Sequence, residues 1–357
     1  MKVLYLTDAG QDYLADQIYD GLCAVIGREG VIDFPRKPIY HSEPPEGTLS
    51  SRPCELALDE QASFIREGAI DLVIVSSPRQ GAVKACRDLA GCVALPPVVL
   101  LDGEDDRRIR QDLARVIHAG LYFKRELPLS SVSTGHEQRR AQAGEGLAPL
   151  EGRVQPLPFS VTSAELEPLP DLARDVDVSF VGRASHRKRV RAVRLLREAR
   201  DIRFEGGIYA ESTDRASKLT DSWFGMMAAK LRGDPPGQGS ITKFGREGYR
   251  ALLARSKTAL SVRGGGFDTL RYWEIAASKI PLISEVPDIL IPHNLEHGVH
   301  AIFCRPDLGD LVEWVRRLRD DEGERNRLAH AAYHHVLAHH TSARRATYML
   351  DLCRKML

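Results

Sequence analysis

SKTALSVRGGGFDTLRYWEIAASKIPLISEVPDILIPHNLEHG, residues 256–298, decides how the rest of the chain is read. Ala259–Val262 is a short apolar run that predicts a buried strand, and it runs straight into Arg263-Gly264-Gly265-Gly266. Thr269–Ala277 has helical spacing, and Pro281–Ser284 predicts a second strand. Glycines between a strand and a helix let backbone N–H groups come close to an anion, and the helix N-terminus adds roughly half a positive charge. Thr269 can cap that helix or donate to a phosphate, and Arg263 and Arg271 flank the turn with forked donors. Glu274 follows on the first turns of the helix, where a carboxylate can accept two hydroxyl groups of a ribose. Together these residues predict a cradle for a nucleotide diphosphate at the C-terminal edge of a parallel sheet. The same turn could equally do nothing more than turn. It is neither a G-x-G-x-x-G fingerprint nor a P-loop.

The strand–helix grammar extends in both directions. Upstream in the same half, Val176–Val181 ends in Gly182-Arg183 and leads to a basic helix, Arg187–Glu198; Ile202–Glu205 reads as a strand and Glu247–Ala254 as a helix. Gly233–Ser240 reads as a loop. Downstream, Asp310–Leu318, Asp321–His339 and Ala343–Met356 are helical. The N-terminal half repeats the pattern: strand Val3–Thr7, helix Tyr13–Ile26, a helical piece at Phe64–Glu67, strand Asp71–Ser76, helix Gln80–Leu89, strand Val98–Leu101 and helix Arg107–His118. Continuous apolar strands alternating with helices predict parallel sheets covered on both faces. Between Leu129 and Pro170 the pattern breaks into polar and proline-rich sequence, predicting a surface loop followed by a connector. Two domains follow, 1–165 and 166–342, with the closing helix 343–357 able to pack back on the first.

Bulk properties narrow the function classes. The 357 residues suit two domains, and a formal net charge of +1 with both signs interspersed argues against a dedicated nucleic-acid or polybasic membrane binder. Six cysteines, none in a C-x-x-C pair, read as reduced and mostly buried thiols, which implies a cytoplasmic protein. The N-terminal apolar run is too short for a signal-peptide core, and no run approaches the roughly 20 residues of a membrane span.

Trp273-Glu274-Ile275-Ala276-Ala277-Ser278-Lys279-Ile280-Pro281-Leu282-Ile283 resembles the donor-site helix of GT-B glycosyltransferases, and within them Gly266–Glu274 is most similar to the CgeB-like (spore-maturation) and exostosin-like groups. The resemblance covers about residues 176–350 and implies an α/β fold of two Rossmann-like domains facing across a cleft, the first for the acceptor and the second for the donor. It implies that Glu274 binds the donor ribose, that Gly265, Gly266 and Thr269 contact the diphosphate, and that the Phe180-Val181-Gly182-Arg183 element places Arg183, with Lys188, near the phosphates in place of a metal. Many retaining members carry a further glutamate eight positions before the ribose-binding one; here Gly266 stands there.

The implied activity is transfer of a hexosyl-type sugar from a UDP-, GDP- or ADP-sugar to a glycan, protein or other acceptor, with no required cofactor or metal and no nucleic-acid partner. A nucleotide-sugar 2-epimerase of the same fold, or an inactive binding module, are the alternatives. An acceptor hydroxyl needs a group that orients or deprotonates it; the candidates are Asp8 after the first strand, and Asp102 and Asp105 in Asp102-Gly103-Glu104-Asp105-Asp106, with Asp106 read as a helix cap. His334, His335, His339 and His340 read as a solvated helix face.

Overall fold

The computed structural model describes residues 1–41, 54–130, 152–209, 240–241 and 244–357. The polar stretch at 131–151 and most of the glycine- and proline-rich loop, 233–239, lie outside the described residues. The chain divides into two compact units. One comprises Met1–Glu165, Asp288–Asn294 and Val336–Leu357; the other comprises Leu166–Pro287 and Leu295–His335.

The first unit carries strands β1 (Val3–Leu6), β2 (Val31–Phe34), β3 (Leu72–Val75), β4 (Val98–Asp102), β5 (Leu121–Lys124) and β6 (Val154–Pro156). They form one parallel sheet in the order β2-β1-β3-β4-β5-β6. Helices α1 (Tyr13–Ile26), α2 (Cys54–Arg66), α3 (Gln80–Cys92) and α4 (Gln111–Val116) connect them. β1, β3, β4 and β5 are buried along their whole length, which is why they are apolar runs rather than alternating ones, broken only where Asp102 and Lys124 pair at the ends of β4 and β5. β6 lies inside the stretch read as loop and connector; Pro156 is tolerated there because β6 is the edge strand, where a missing N–H breaks no ladder. The helix read over Arg107–His118 starts only at Gln111, because Asp106 Oδ1 accepts the Arg108 N–H at 2.9 Å and closes a turn first.

The closing helix, here α10 (Ser342–Met356), packs on α1. Ser342 Oγ donates to Asp20 at 2.6 Å, and a Cβ on Gly21 would lie 2.1 Å from the Ser342 carbonyl oxygen. Only a glycine lets the two helices approach this closely. His340 corrects the solvated-face reading. It is 0% exposed, with its Nε2 2.7 Å from the His293 carbonyl and its Nδ1 2.8 Å from Arg345.

The second unit carries β7 (Val176–Arg183), β8 (Phe204–Tyr209), β9 (Ser240–Ile241), β10 (Ser256–Ser261), β11 (Leu282–Glu285) and β12 (Ala301–Cys304). The order is β12-β11-β10-β7-β8-β9, all parallel. Counted from β7, this is the doubly wound arrangement in which the direction of winding reverses between the first and fourth strands, β7 and β10. Helices α5 (Arg187–Glu198), α6 (Arg246–Arg255), α7 (Leu270–Ala277), α8 (Leu311–Asp320) and α9 (Glu322–His339) complete the described part. Its core gathers Val178, Phe180, Val193, Leu196, Leu260, Ile283, Ile302 and Val315.

Candidate functional site

The reversal between β7 and β10 fixes where a ligand of the second unit would sit: in the crevice beyond the C-terminal ends of those two strands. The residues leaving β7 are Gly182 and Arg183; those leaving β10 are Val262, Arg263 and the three glycines. Topology therefore gathers Gly182, Arg183, Lys188, Arg263, Gly265, Gly266 and Thr269 at one sheet edge, although they span nearly 90 positions of sequence.

Thr269 is the N-cap of α7. Its hydroxyl accepts the Tyr272 N–H at 3.3 Å and is 2.9 Å from Ser261 Oγ, so the cap is tied to the end of β10. Behind it, the fully buried Trp273 donates its indole N–H to Asp268 at 2.8 Å and fixes the last residues of the turn. Gly264 N–H closes on the Gly266 carbonyl at 3.0 Å. The Arg263 guanidinium stacks on Phe267, 3.9 Å from the ring centre, and donates to the Gly265 carbonyl at 3.2 Å. Stacking leaves its planar edge available to a polar group.

Arg271 and Glu274 form a pair one turn apart on α7, through Arg271 Nη1 and Glu274 Oε2. The Arg271 guanidinium lies 3.6 Å from the centre of the Tyr249 ring. Burial works against its charge, but Tyr249 and Glu274 more than offset this and push its pKa up. Burial likewise pushes the Tyr249 hydroxyl upward. Arg271 is thus engaged by its own helix and by α6, while Glu274 Oε1 has no partner among the described residues.

Two side chains that the sequence reading did not single out organise this edge. Arg189 Nε donates to the carbonyls of Val262 and Arg263 at 3.1 and 3.0 Å, and its Nη1 reaches the Arg183 carbonyl at 3.3 Å. It joins both strand-end loops. Glu285 is 3% exposed and accepts from Lys188 Nζ at 2.5 Å and from the Arg263 N–H at 2.8 Å. The sequence signal was present: a run of seven residues beginning at Arg183 holds four cations, and an acid, Glu285, ends the fourth strand after it. The pairing itself depends on strand order. His186 caps α5, its Nδ1 accepting the Lys188 N–H at 3.2 Å. Burial, with Arg263, Lys188 and Arg187, holds its pKa below the usual imidazole value against the pull of Glu285.

The three carboxylates named as catalytic candidates all lie at the C-terminal edge of the first unit's sheet, and each has protein partners. Asp8 accepts the N–H groups of Gly10 and Gly81, both at 3.0 Å. Asp102 is 0% exposed; it accepts the Tyr122 hydroxyl and the Glu104 N–H at 3.0 Å, and lies 3.0 Å from Lys124 Nζ. Asp105 is open to solvent and pairs with Arg125, which is itself buried over Phe159. At the same edge, Asp12 went unremarked in the sequence. It is 6% exposed, caps α1 through the Ala15 N–H at 3.1 Å, and burial raises its pKa. Among the described residues no group of three or more His, Cys, Asp or Glu is placed to hold a metal, and no helix is long and apolar enough to cross a membrane.

The two parallel-sheet α/β units match the fold of GT-B glycosyltransferases in solved structures over the whole chain. A glycosyltransferase from Rickettsia africae ESF-5 superposes with a TM-score of 0.64 at 11% identity, covering 99% of this chain and 98% of that one. Anabaena HepE in complex with UDP-glucose gives 0.64 at 12%, covering 99% and 100%. The lipopolysaccharide outer core galactosyltransferase WaaB, in its apo form, gives 0.58 at 12% and covers both chains completely. Residues 188–351 match the family model described as "Glycosyl transferase-like". No curated protein matches the sequence.

Proposed function

We propose that the protein is a glycosyltransferase that moves a sugar, of hexosyl type, from a nucleoside diphosphate sugar to a glycan, protein or other cellular acceptor, without an essential metal. The observation that carries this reading is the convergence of Arg183, Lys188 and Arg263 with the glycine turn and the α7 N-terminus at the winding reversal of the second sheet. Cations and backbone donors fixed at one point suit a diphosphate whose charge grows as the sugar departs. Glu274, with one oxygen unpartnered, suits a ribose diol. The family match over 188–351 and the fold of UDP-glucose-bound HepE support the same donor class. Cys23, Cys86, Cys92, Cys304 and Cys353 are free thiols, which supports a reducing, cytoplasmic setting.

The acceptor side is assigned to the first unit. Asp8, Asp102 and Asp105 remain its proposed carboxylates, and Asp105 is the most open to solvent of the three. The test is incubation with UDP-, GDP- and ADP-sugars with and without a cell-derived acceptor fraction, reading nucleoside diphosphate release. Release that depends on acceptor supports transfer. An isomerised sugar formed from donor alone would make the protein an epimerase, and the absence of binding to every donor would make it a binding module of another kind.

A further inference from the structure

Glu285 closes β11 at the same sheet edge as the glycine turn, and its two oxygens serve two different loops. Oε2 takes the ammonium of Lys188, from the first turn of α5, at 2.5 Å. Oε1 takes the backbone N–H of Arg263, the first residue of the glycine turn, at 2.8 Å. A carboxylate buried to 3% exposure is costly unless paired and hydrogen-bonded, so the position is held by these two partners together.

We propose that Glu285 is a positioning residue for the diphosphate group: it holds Lys188 and the start of the glycine turn in the arrangement that the anion meets. This rests on the donor-site reading above. A free lysine ammonium swings on four rotatable bonds, and immobilising it on binding costs entropy. Glu285 removes much of that cost beforehand by fixing the side chain through one oxygen while its other oxygen fixes the loop opposite. The bound anion then shares an ammonium already in place. Arg263 gains as well: with its backbone N–H pinned, its guanidinium keeps its stacking on Phe267.

Removing the carboxylate charge makes the site more positive, which by itself favours anions. If Glu285 positions Lys188, anion binding must nevertheless weaken. Glu285→Gln retains an acceptor for the Arg263 N–H and changes little else in shape. The test is calorimetry of the full chain with UDP and inorganic pyrophosphate, and NMR titration with uridine, the GDP and ADP series being run alongside. Glu285→Gln should weaken UDP and pyrophosphate about tenfold and leave uridine unchanged. In a Lys188→Gln background, itself weakened about tenfold, the same change should add less than about twofold. Thermal melts of each variant check that the fold is kept. Tighter pyrophosphate binding in Glu285→Gln would overturn the proposal, as would an equal loss of uridine affinity, which marks a structural role alone. A wild-type protein that binds no nucleoside diphosphate would remove the donor-site reading itself, and this proposal with it.

Discussion

Arg189 occupies the place where a side chain at Gly264 would begin: a Cβ built there lies 2.9 Å from Arg189 Nη2 and 3.1 Å from Ser185 Oγ. A side chain at the first glycine of the turn would therefore displace the Arg189 guanidinium, which is held by the carbonyls of Val262 and Arg263. Gly265 and Gly266 are the glycines of the turn proposed to let its backbone approach a ligand. Gly182 is constrained in the same way, with a Cβ 3.2 Å from Arg189 Nη1 and 2.9 Å from the Phe180 ring.

Gly264→Ala should consequently destabilise the protein by roughly 1–3 kcal/mol, since Arg189 would have to give up its carbonyl partners to make room. The cost should shrink markedly in an Arg189→Ala background, where the clash is gone. Urea unfolding of the two single variants and the double variant measures this coupling, and additive effects would count against it.

Gly21→Ala tests the packing of the first unit. Its Cβ would lie 2.1 Å from the Ser342 backbone oxygen, and backbone cannot swing aside as a side chain can. A loss of about 2–4 kcal/mol is expected, read as a lowered urea midpoint. Within 0.5 kcal/mol of wild type would show that α10 does not pack on α1 as described.

Much of the fold is legible in the sequence for one physical reason. β1, β3 and β4 are buried along their whole length, so their apolar runs are nearly unbroken and stand out, while β7, β10 and β11 are marked by shorter apolar stretches that end in Gly182-Arg183, the glycine turn and Glu285. The strands that escaped notice are β2, with Asp33 in its middle; the edge strands β6, β9 and β12; and β5, whose last residue, Lys124, is a charge buried against Asp102. The glycine turn and the Thr269 cap were readable because their partners are local. Glu285 and Arg189 were not, since their contacts join residues 97 and about 73 positions apart and exist only once β7, β10 and β11 lie side by side. His340 is similar. Its burial depends on Arg345 and on a carbonyl 47 positions away.

Alkaline pH should weaken the fold. Burial pushes the thiols of Cys86 up to about 11 and of Cys304 and Cys353 up to about 12, from an ordinary value of 9.0. The folded state therefore keeps protons that the unfolded chain releases above about pH 9. The stability from these groups is complete below that point and is lost as pH rises toward 12. Urea midpoints measured from pH 8 to 11 should fall above 9. In native protein at pH 8, Ellman's reagent should label the exposed Cys92 and spare these three, while denaturant exposes them.

Glu274→Ala should weaken nucleoside diphosphate binding by roughly several-fold, through loss of the proposed ribose contact and release of Arg271 from its partner. Calorimetry with the tightest-binding nucleotide measures it. Unchanged affinity would remove Glu274 from the site.

The glycine turn and the α7 N-terminus are proposed to receive a diphosphate. A crystal structure of the protein with a bound nucleoside diphosphate tests it most directly. Phosphate oxygens are expected within hydrogen-bond reach of the Gly265 or Gly266 N–H and of Arg263 or Lys188. A nucleotide bound with its phosphates elsewhere, and this turn untouched, would contradict it.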